Sequence, residues 1–442
     1  MARATTAVGA RGATPLLVGL AVQAGTTYLY LVVAGQTLGA TQFAALSGLY
    51  LVLTGTATGL FAPLEQEVTR RRGSERGGEA HDATLLRRAV VLGLLTSTVA
   101  SAAFLLAWPL TLDLLGGQRW LLVSLLIALP GYACWFAFRG ELSGSRRLRR
   151  YAAQLALDGS VRLAGGLLLA ASGHGTTAGF GMLFAVSPWL TVAATWTRGQ
   201  WQPKVSDERG PRLGRPFAWL VVSALAAQLV INAGPAIINV LSSPSERESA
   251  GVYLAALVVI RVPVFLFTAV QPAFLPALSE LSRAGRRAEF GRLLGGLLLA
   301  LGAGTVLITV CATFLGPRVI AWLFDFPESL GGEVYLFLTL SVGLFLTATI
   351  LAQALLGLGR HGLVAAGWLA ALLGLALGTL YPGSPVARAN CALLSGAAVA
   401  TVVLACLLAR ELSRWTDGGD RSTEVRPAPV PGDDDRWITR AS

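Results

Sequence analysis

The chain has 442 residues, of which 54% are hydrophobic and only 13% are charged. A soluble domain carries about a quarter charged residues, so this composition excludes an ordinary soluble protein and indicates one that lies largely in a membrane. The net charge of +11 would suggest nucleic acid in a soluble chain, but its distribution has another explanation, and no nucleic-acid partner is predicted. The four cysteines stand in apolar segments without metal-ligand spacing, so neither disulfides nor a metal site is predicted.

Twelve apolar segments are long enough to cross a bilayer as helices, since a span needs roughly 20 apolar residues. Their uniform hydrophobicity excludes the strands of a membrane barrel, so the predicted fold class is an all-α polytopic membrane protein. The first segment is interpreted as a span and not as a cleaved signal peptide. In chain order the predicted spans are Thr14–Val33, Phe43–Phe61, Ala89–Leu110, Trp120–Phe138, Tyr151–Ala171, Thr177–Trp196, Ala218–Val240, Gly251–Phe274, Leu293–Leu315, Val334–Leu356, Leu363–Leu380 and Asn390–Leu408.

The basic residues predict the orientation of these spans. Most of them lie in the N-terminus, in the loops that follow even-numbered spans and in the C-terminus. Under the positive-inside rule both termini are cytoplasmic, in a multi-pass protein of the cell membrane. The outward loops include Gly35–Thr41 and the longest one, Gly316–Glu333, which contains the amphipathic stretch Arg318–Asp325. The opposite side holds only Arg119, Arg247, Arg318 and Arg388.

Two copies of one short sequence motif indicate an internal repeat. The sequence from Phe61 to Arg70, which closes span two, recurs from Phe274 to Arg283 at the end of span eight with its Phe, Pro, Glu and Arg in register. Repetition at about half the chain length is a signature of membrane transporters. Two further matches follow in the same order, Gly144-x-x-Arg147 with Gly357-x-x-Arg360 and Gln23-Ala-Gly with Asn232-Ala-Gly.

The repeat predicts the domain organisation. Residues 1–196 form an N-terminal six-helix lobe, and residues 218–411 form a C-terminal six-helix lobe. Both lobes start inside, so they are parallel repeats related by an axis along the membrane normal. A polar and basic cytoplasmic linker is predicted at 197–217. The tail at 412–442, rich in charge, Pro and Gly, is predicted to be disordered.

Three charged residues fall well inside the predicted spans: Asp158 and Arg162 in span five, and Arg261 in span eight. Charges at bilayer depth are costly and usually face a cavity or a partner. Asp158 and Arg162 share a helix face at i, i+4 and can pair, as a structural or a functional pair. Arg261 has no acid on its own span, so it faces an aqueous cavity or reaches Asp158. The cavity is favoured because the nearer end of the span is about 15 Å away.

Two uncharged polar residues, Gln23 and Asn232, occupy equivalent places in spans one and seven, each before an Ala-Gly pair. They are interpreted either as interhelical hydrogen bonds at a close crossing or as substrate contacts. Signals of enzymatic activity are missing: the sequence has no Walker loop, no H-E-x-x-H and no nucleophile elbow. Neither an enzyme nor a cofactor is therefore predicted.

The two six-span halves, the Pro-x-x-x-Glu phrase (Pro63 to Glu67, Pro276 to Glu280) and the Gly-x-x-Arg turns resemble the multidrug/oligosaccharidyl-lipid/polysaccharide (MOP) exporter superfamily, and within it the polysaccharide, O-antigen-type flippases. The resemblance covers about residues 10–410. It implies a MATE-like fold and a flippase that moves an undecaprenyl-diphosphate-linked oligosaccharide across the cytoplasmic membrane for surface polysaccharide synthesis, by alternating access.

On this resemblance Arg261, helped by Arg162, would anchor the diphosphate, with Gln23 and Asn232 as further substrate contacts. Asp158 would be the candidate coupling site for a proton or a sodium ion. The expected partners are a lipid-diphosphate-linked glycan, membrane lipids and, as candidates, polysaccharide-synthesis proteins. Two alternatives remain: a MATE-like cation-coupled multidrug exporter, and a non-transport scaffold of an envelope-synthesis complex. The family's drug exporters usually carry an acid in span one or seven, where this chain offers only Gln23 and Asn232.

Overall fold

The computed structural model describes residues 2–74, 83–196, 215–243, 247–261, 277–326 and 330–418. The regular secondary structure in these ranges is helical and includes no strand, which confirms the predicted all-α class. A further helical stretch covers residues 277–283. The helices are α1 (Ala2–Ser74), α2 (Ala83–Leu106), α3 (Trp108–Leu114), α4 (Arg119–Gly144), α5 (Leu148–Ala171), α6 (Thr177–Thr195), α7 (Arg215–Leu241), α8 (Arg247–Ile260), α9 (Arg287–Phe324), α10 (Gly332–Gly357), α11 (His361–Gly378) and α12 (Pro385–Gly418).

Nine of the described helices are long and apolar enough to cross a membrane, which identifies a multi-pass membrane protein. One of them, α1, contains both of the first two predicted spans. Helix α5 is not among the nine, because the charges of Asp158 and Arg162 lower its hydropathy. Only the first part of predicted span eight, Gly251–Ile260, is present as an apolar helix within the described residues.

The predicted outward loop Gly35–Thr41 is reduced in the structure to a kink between two helical parts of α1. Gly39 alone leaves the helical conformation, with φ 72° and ψ 168°. Glycine adopts a positive φ at little cost because it has no Cβ atom. The part of α1 before Gly39 is called the first arm below, and the part after it the second arm.

One other predicted loop and the predicted C-terminal tail are partly helical in the structure. The stretch Arg318–Asp325 continues α9 instead of lying free in a loop, and the helix ends at Asp325, which takes the left-handed conformation. At 1.5 Å per residue, α9 is about 57 Å long, more than the roughly 30 Å of a bilayer core, so part of it projects beyond the membrane. The predicted disordered tail begins in helix, since α12 runs to Gly418. The rest of that tail and most of the predicted linker, 197–214, lie outside the described residues.

The sequence repeat recurs in the geometry of the two lobes, α1–α6 and α7–α12. Helices α4 and α10 end at Gly144 and Gly357, and two residues later Arg146 and Gly359 take positive φ values of 55° and 75°. Helix pairs recur as well: α1 packs on α5 and α4 on α6, as α7 packs on α11 and α10 on α12. The lobes therefore share one architecture, while the domain boundaries given above stay predictions.

The lobes meet along the second arm of α1, which packs on α7 and α8. Glycines allow the close approach: a Cβ atom at Gly55 would lie 3.1 Å from Nδ2 of Asn232, and one at Gly59 would lie 2.6 Å from Leu225. The second arm thereby covers the face of α7 that carries Asn232.

The predicted outward ends of the lobes are also in contact. The ring of Phe43 lies against those of Phe324 and Phe326, with centroids 5.7 Å and 5.9 Å away. In the first arm, Nε2 of Gln36 donates to the backbone oxygen of Leu323 at 2.9 Å. These five residues, called the outer contact below, join α1 to the end of α9.

Candidate functional site

In the N-terminal lobe, Asp158 is buried and both of its carboxylate oxygens accept hydrogen bonds. Oδ2 accepts from Nη2 of Arg162 and, at 3.4 Å, from Nε2 of Gln23. Oδ1 accepts from Oγ of Ser187 on α6 at 2.9 Å. The Arg162 guanidinium also lies over the ring of Phe184, 5.1 Å from its centroid. The pair expected from the i, i+4 spacing is therefore present, and its two charges cancel inside the lobe.

In the C-terminal lobe, Arg261 follows α8 directly and is 8% exposed. Its Nη1 donates to Oδ1 of Asn232 at 2.9 Å. Asn232 is itself held by Gln228, one turn earlier on α7: its Nδ2 donates to the backbone oxygen and to Oε1 of Gln228, both at 2.9 Å. Because the amide nitrogen of Asn232 is committed to Gln228, the amide oxygen faces Arg261.

The other edge of the Arg261 guanidinium is formed by Nε and Nη2. Nε and Nη2 are buried and have no hydrogen-bond partner among the described residues. These two nitrogens form the fork with which arginine holds two oxygens of one phosphate or carboxylate. The alternative partner considered from the sequence, Asp158, is already occupied by Arg162. A buried cation without a counter-charge is costly, so this edge has the properties of an anion receptor.

The surroundings of Arg261 come from both lobes. Tyr28 in the first arm, Tyr50 in the second arm and Tyr253 in α8 lie within electrostatic range of its guanidinium. The hydroxyl of Tyr253 donates to Oδ1 of Asn390 on α12 at 2.8 Å. The guanidinium is thus enclosed where the lobes meet, and the aqueous cavity expected from the sequence stays a prediction.

The five residues selected from the sequence fall into two clusters. Gln23, Asp158 and Arg162 lie together in the N-terminal lobe, whereas Asn232 and Arg261 lie together in the C-terminal lobe. Gln23 and Asn232 hold equivalent positions in the repeat but contact charges of opposite sign. Sequence reasoning missed the partners of these residues, namely Ser187 and Gln228. Only Gln228 left a signal, since it precedes Asn232 by one turn in an otherwise apolar helix.

Sequence reasoning also missed two ion pairs, one half-buried and one buried, at the predicted cytoplasmic end of the N-terminal lobe. Arg139 pairs with Glu65 at 3.2 Å, and Tyr151 bridges the two by accepting from Arg139 and donating to Glu65. Arg72 pairs with Glu141 at 2.6 Å, with both side chains 3% exposed. The two ion pairs tie the second arm of α1 to α4 and α5 within one lobe, so they stabilise that lobe and do not join it to the other.

The chemistry around Arg261 suits an anion and not a metal. Its free atoms are N–H donors, which cannot ligate a cation. In the described ranges no three His, Cys, Asp or Glu residues come together in a way that could hold a metal ion.

Sequence comparison gives distant relatives without a known activity. No protein-family model matches the chain. Uncharacterised proteins of Mycobacterium bovis and Mycobacterium tuberculosis are 26% identical over 405 residues, which cover 88% of this chain and 90% of each relative.

Structural comparison is more informative about the fold. The chain is similar to a multidrug resistance MATE family transporter of the MOP superfamily in its outward-facing conformation, with a TM-score of 0.64, 14% identity and coverage of 92% of this chain and 96% of that chain. The inward-facing conformation of such a transporter gives a TM-score of 0.65 at 14% identity, covering 91% and 99%. A MOP superfamily transporter from Pyrococcus furiosus, described as having a binding pocket of reverse polarity, gives 0.65 at 13% identity, covering 92% and 96%. Identities this low show the fold alone, and the chain has the MATE-like fold of MOP superfamily transporters.

Proposed function

We propose that this protein is a flippase that moves an undecaprenyl-diphosphate-linked oligosaccharide across the cytoplasmic membrane for surface polysaccharide synthesis. The observation that carries the proposal is the free Nε–Nη2 edge of Arg261, buried where the two lobes meet. A phosphate cannot cross hydrocarbon without donors and positive charge, and a guanidinium edge supplies both. The fold supports transport, since its structural neighbours are transporters.

The proposed cycle is alternating access between the lobes. In the conformation described here the outer contact is closed, with Phe43 against Phe324 and Phe326. Release of the headgroup to the outer leaflet would require these rings to separate. During the exchange Arg261 would hold the phosphate, the sugars would stay in water between the lobes, and the lipid tail would stay in the bilayer.

Arg261 alone carries the anchoring role in this proposal. Arg162 was expected to help, but its charge is neutralised by Asp158, and two of its nitrogens are committed to that residue. Gln228 and Asn232 would position the Arg261 guanidinium. Gln23 bonds to Asp158 and belongs to the N-terminal cluster, so its part is to hold that lobe together.

The alternative of a cation-coupled multidrug exporter is supported by the fold, because similar structures are described as multidrug resistance transporters. The described side chains favour it less. An unpaired arginine at the lobe interface repels cationic drugs. A proton or sodium ion at Asp158 would have to displace Arg162 or Ser187, which occupy its oxygens. The scaffold alternative depends on the C-terminal tail, and deletion of residues after Gly418 tests it, since a flippase would keep its transport.

The test is a flipping assay in vesicles that contain the purified protein and a fluorescent undecaprenyl-diphosphate-linked sugar. Loss of a charged hydrogen-bonding group costs about 1.5–3 kcal/mol, so Arg261→Ala should slow flipping by about ten- to a hundredfold. Arg261→Lys should recover only part of the rate, because an ammonium cannot bind bidentately. The matched control is Arg318→Ala, since Arg318 is exposed on α9. Undiminished flipping by Arg261→Ala would contradict the proposal.

A further inference from the structure

A cavity of about 140 Å³ lies between α8, α9 and α10 in the C-terminal lobe. Its floor is made by α10, where Thr339, Val342 and Leu346 are buried. Its rim on α9 includes Ala300, which is exposed. The cavity therefore opens on the side of the lobe that faces the bilayer.

The described lining of this cavity is apolar except for Thr305 and Thr339. It includes Ile260, Leu301, Ile308 and Val342. The hydroxyl of Thr339 is used inside its own helix, because Oγ1 donates to the backbone oxygen of Tyr335 at 2.8 Å. An apolar cavity of about 150 Å³ stays dry and can take up a benzene-sized molecule. Hydrocarbon, and not a polar solute, is the fitting occupant.

Gly304 keeps this space open. It lines the cavity and is half-buried, yet a Cβ atom built on it would meet nothing within 4 Å. Beside it the helices touch, since a Cβ atom on Gly343 of α10 would collide with the side chain of Thr305. The wall next to Gly304 is therefore firmly packed, and the gap is not closed by a neighbouring side chain among the described residues.

The cavity and the anion receptor lie on the same turn of α8. Ile260 borders the cavity, and the next residue, Arg261, holds its free guanidinium edge where the lobes meet. Both are therefore at one depth in the membrane. On the same stretch of α9 the side chains of Leu299 and Val306 are 77% and 65% exposed, as expected for a surface in contact with lipid.

We propose that this cavity holds a segment of the polyprenyl tail of the lipid whose phosphate is bound at Arg261. The inference rests on the proposed function and adds a second binding site to it, for a hydrocarbon chain. An amphipathic substrate needs charged donors for its headgroup and an apolar surface open to the bilayer for its tail. Arg261 and this cavity provide both at the same depth. The cavity accommodates a few carbon units, so the rest of the tail stays among the bilayer lipids.

The test compares two leucine substitutions on α9. Gly304→Leu fills the cavity, whereas Gly302→Leu points to the bilayer, because Gly302 is exposed and is not part of the described lining. A Cβ atom meets nothing within 4 Å at either position, so neither variant introduces a clash at its Cβ atom. Both variants remove one glycine from the same helix and so share any effect of helix propensity.

Two probes separate the tail from the headgroup. The first is flipping of an undecaprenyl-diphosphate-linked sugar in vesicles, and the second is binding of the same sugar diphosphate without a lipid chain, which has no tail to place in the cavity. The tail leaves one apolar medium for another, so only packing is gained and the effect is moderate. Gly304→Leu should raise the half-saturating concentration of the long-chain lipid about three- to tenfold. It should leave binding of the lipid-free sugar diphosphate unchanged, and Gly302→Leu should change neither.

Equal long-chain kinetics in the two variants would overturn the inference, and would mean that bulk phospholipid or nothing fills the cavity. Loss of binding of the lipid-free sugar diphosphate in Gly304→Leu would also overturn it, because the effect would then lie at the headgroup site. Gly304→Ala, which fills less of the space, should give a smaller shift than leucine. Failure of the wild-type protein to bind either probe would instead refute the proposed function, and this inference with it.

Discussion

The two lobes bury charge in opposite ways. In the N-terminal lobe Asp158 has partners for both oxygens, in Arg162, Gln23 and Ser187, and the cluster is neutral. In the C-terminal lobe Arg261 has one neutral partner, Asn232, and an edge with no partner among the described residues. A satisfied pair holds its helices together, whereas an unsatisfied cation costs stability. On the function proposed above, the first cluster serves the structure of its lobe and the second serves a ligand.

This contrast should be largest in thermal stability. Replacing the buried arginine by methionine should lower the unfolding midpoint in the N-terminal lobe but not in the C-terminal lobe. Arg162→Met leaves Asp158 as a buried carboxylate without a counter-charge. Removal of one partner of a buried pair costs about 3–5 kcal/mol, so this variant should lose much of its resistance to heat in detergent. The measurement is the midpoint of thermal unfolding, with Asp158→Leu combined with Arg162→Met as the control that restores part of the loss. A variant as stable as the wild type would show that the pair contributes little.

Arg261→Met is the matched variant in the C-terminal lobe. It removes a buried charge that has no counter-charge among the described residues and replaces it by an apolar side chain of similar length. A buried charge without a counter-charge costs stability, so the unfolding midpoint of this variant should equal or exceed that of the wild type. The same protein should flip the lipid about ten- to a hundredfold more slowly than the wild type, as Arg261→Ala should. A midpoint lowered as much as in Arg162→Met would show that Arg261 has a structural partner.

How much of the candidate site could be predicted from the sequence depends on whether the interacting residues share a helix. The Asp158–Arg162 pair was predictable, because an i, i+4 spacing places both side chains on one face. The contact of Arg261 with Asn232 was not, since it depends on how α8 packs against α7, and no local pattern encodes that. The kink at Gly39 was not predictable for a related reason. The seven residues Gly35–Thr41 between two apolar segments fit a loop as well as a kinked helix.

Asn232→Asp would convert the C-terminal cluster into a neutral pair like the N-terminal one. The new carboxylate would lie about where Oδ1 now accepts from Arg261, at 2.9 Å, and would cancel its charge. Anion affinity should fall about ten- to a hundredfold, since the receptor loses roughly 1.5–3 kcal/mol of charge-assisted binding. Binding of geranyl diphosphate by the purified protein measures this.

Asn232→Leu is the control for that variant, because it removes the amide without adding a charge. It should weaken binding less than Asn232→Asp does. Equal losses in the two variants would show that the amide contact, and not the charge of the guanidinium, determines affinity.

The smallest expected effect belongs to Gln228, which reaches the guanidinium only through Asn232. Gln228→Leu removes one of the two acceptors of the Asn232 amide nitrogen and leaves the backbone oxygen in place. One neutral hydrogen bond is worth about 0.5–1.5 kcal/mol, so geranyl-diphosphate affinity should fall about two- to tenfold. If Gln228 acts by positioning Asn232, the double variant Gln228→Leu, Asn232→Leu should bind as Asn232→Leu does. Additive losses would show that Gln228 contacts the ligand itself, because effects add only when two residues act independently.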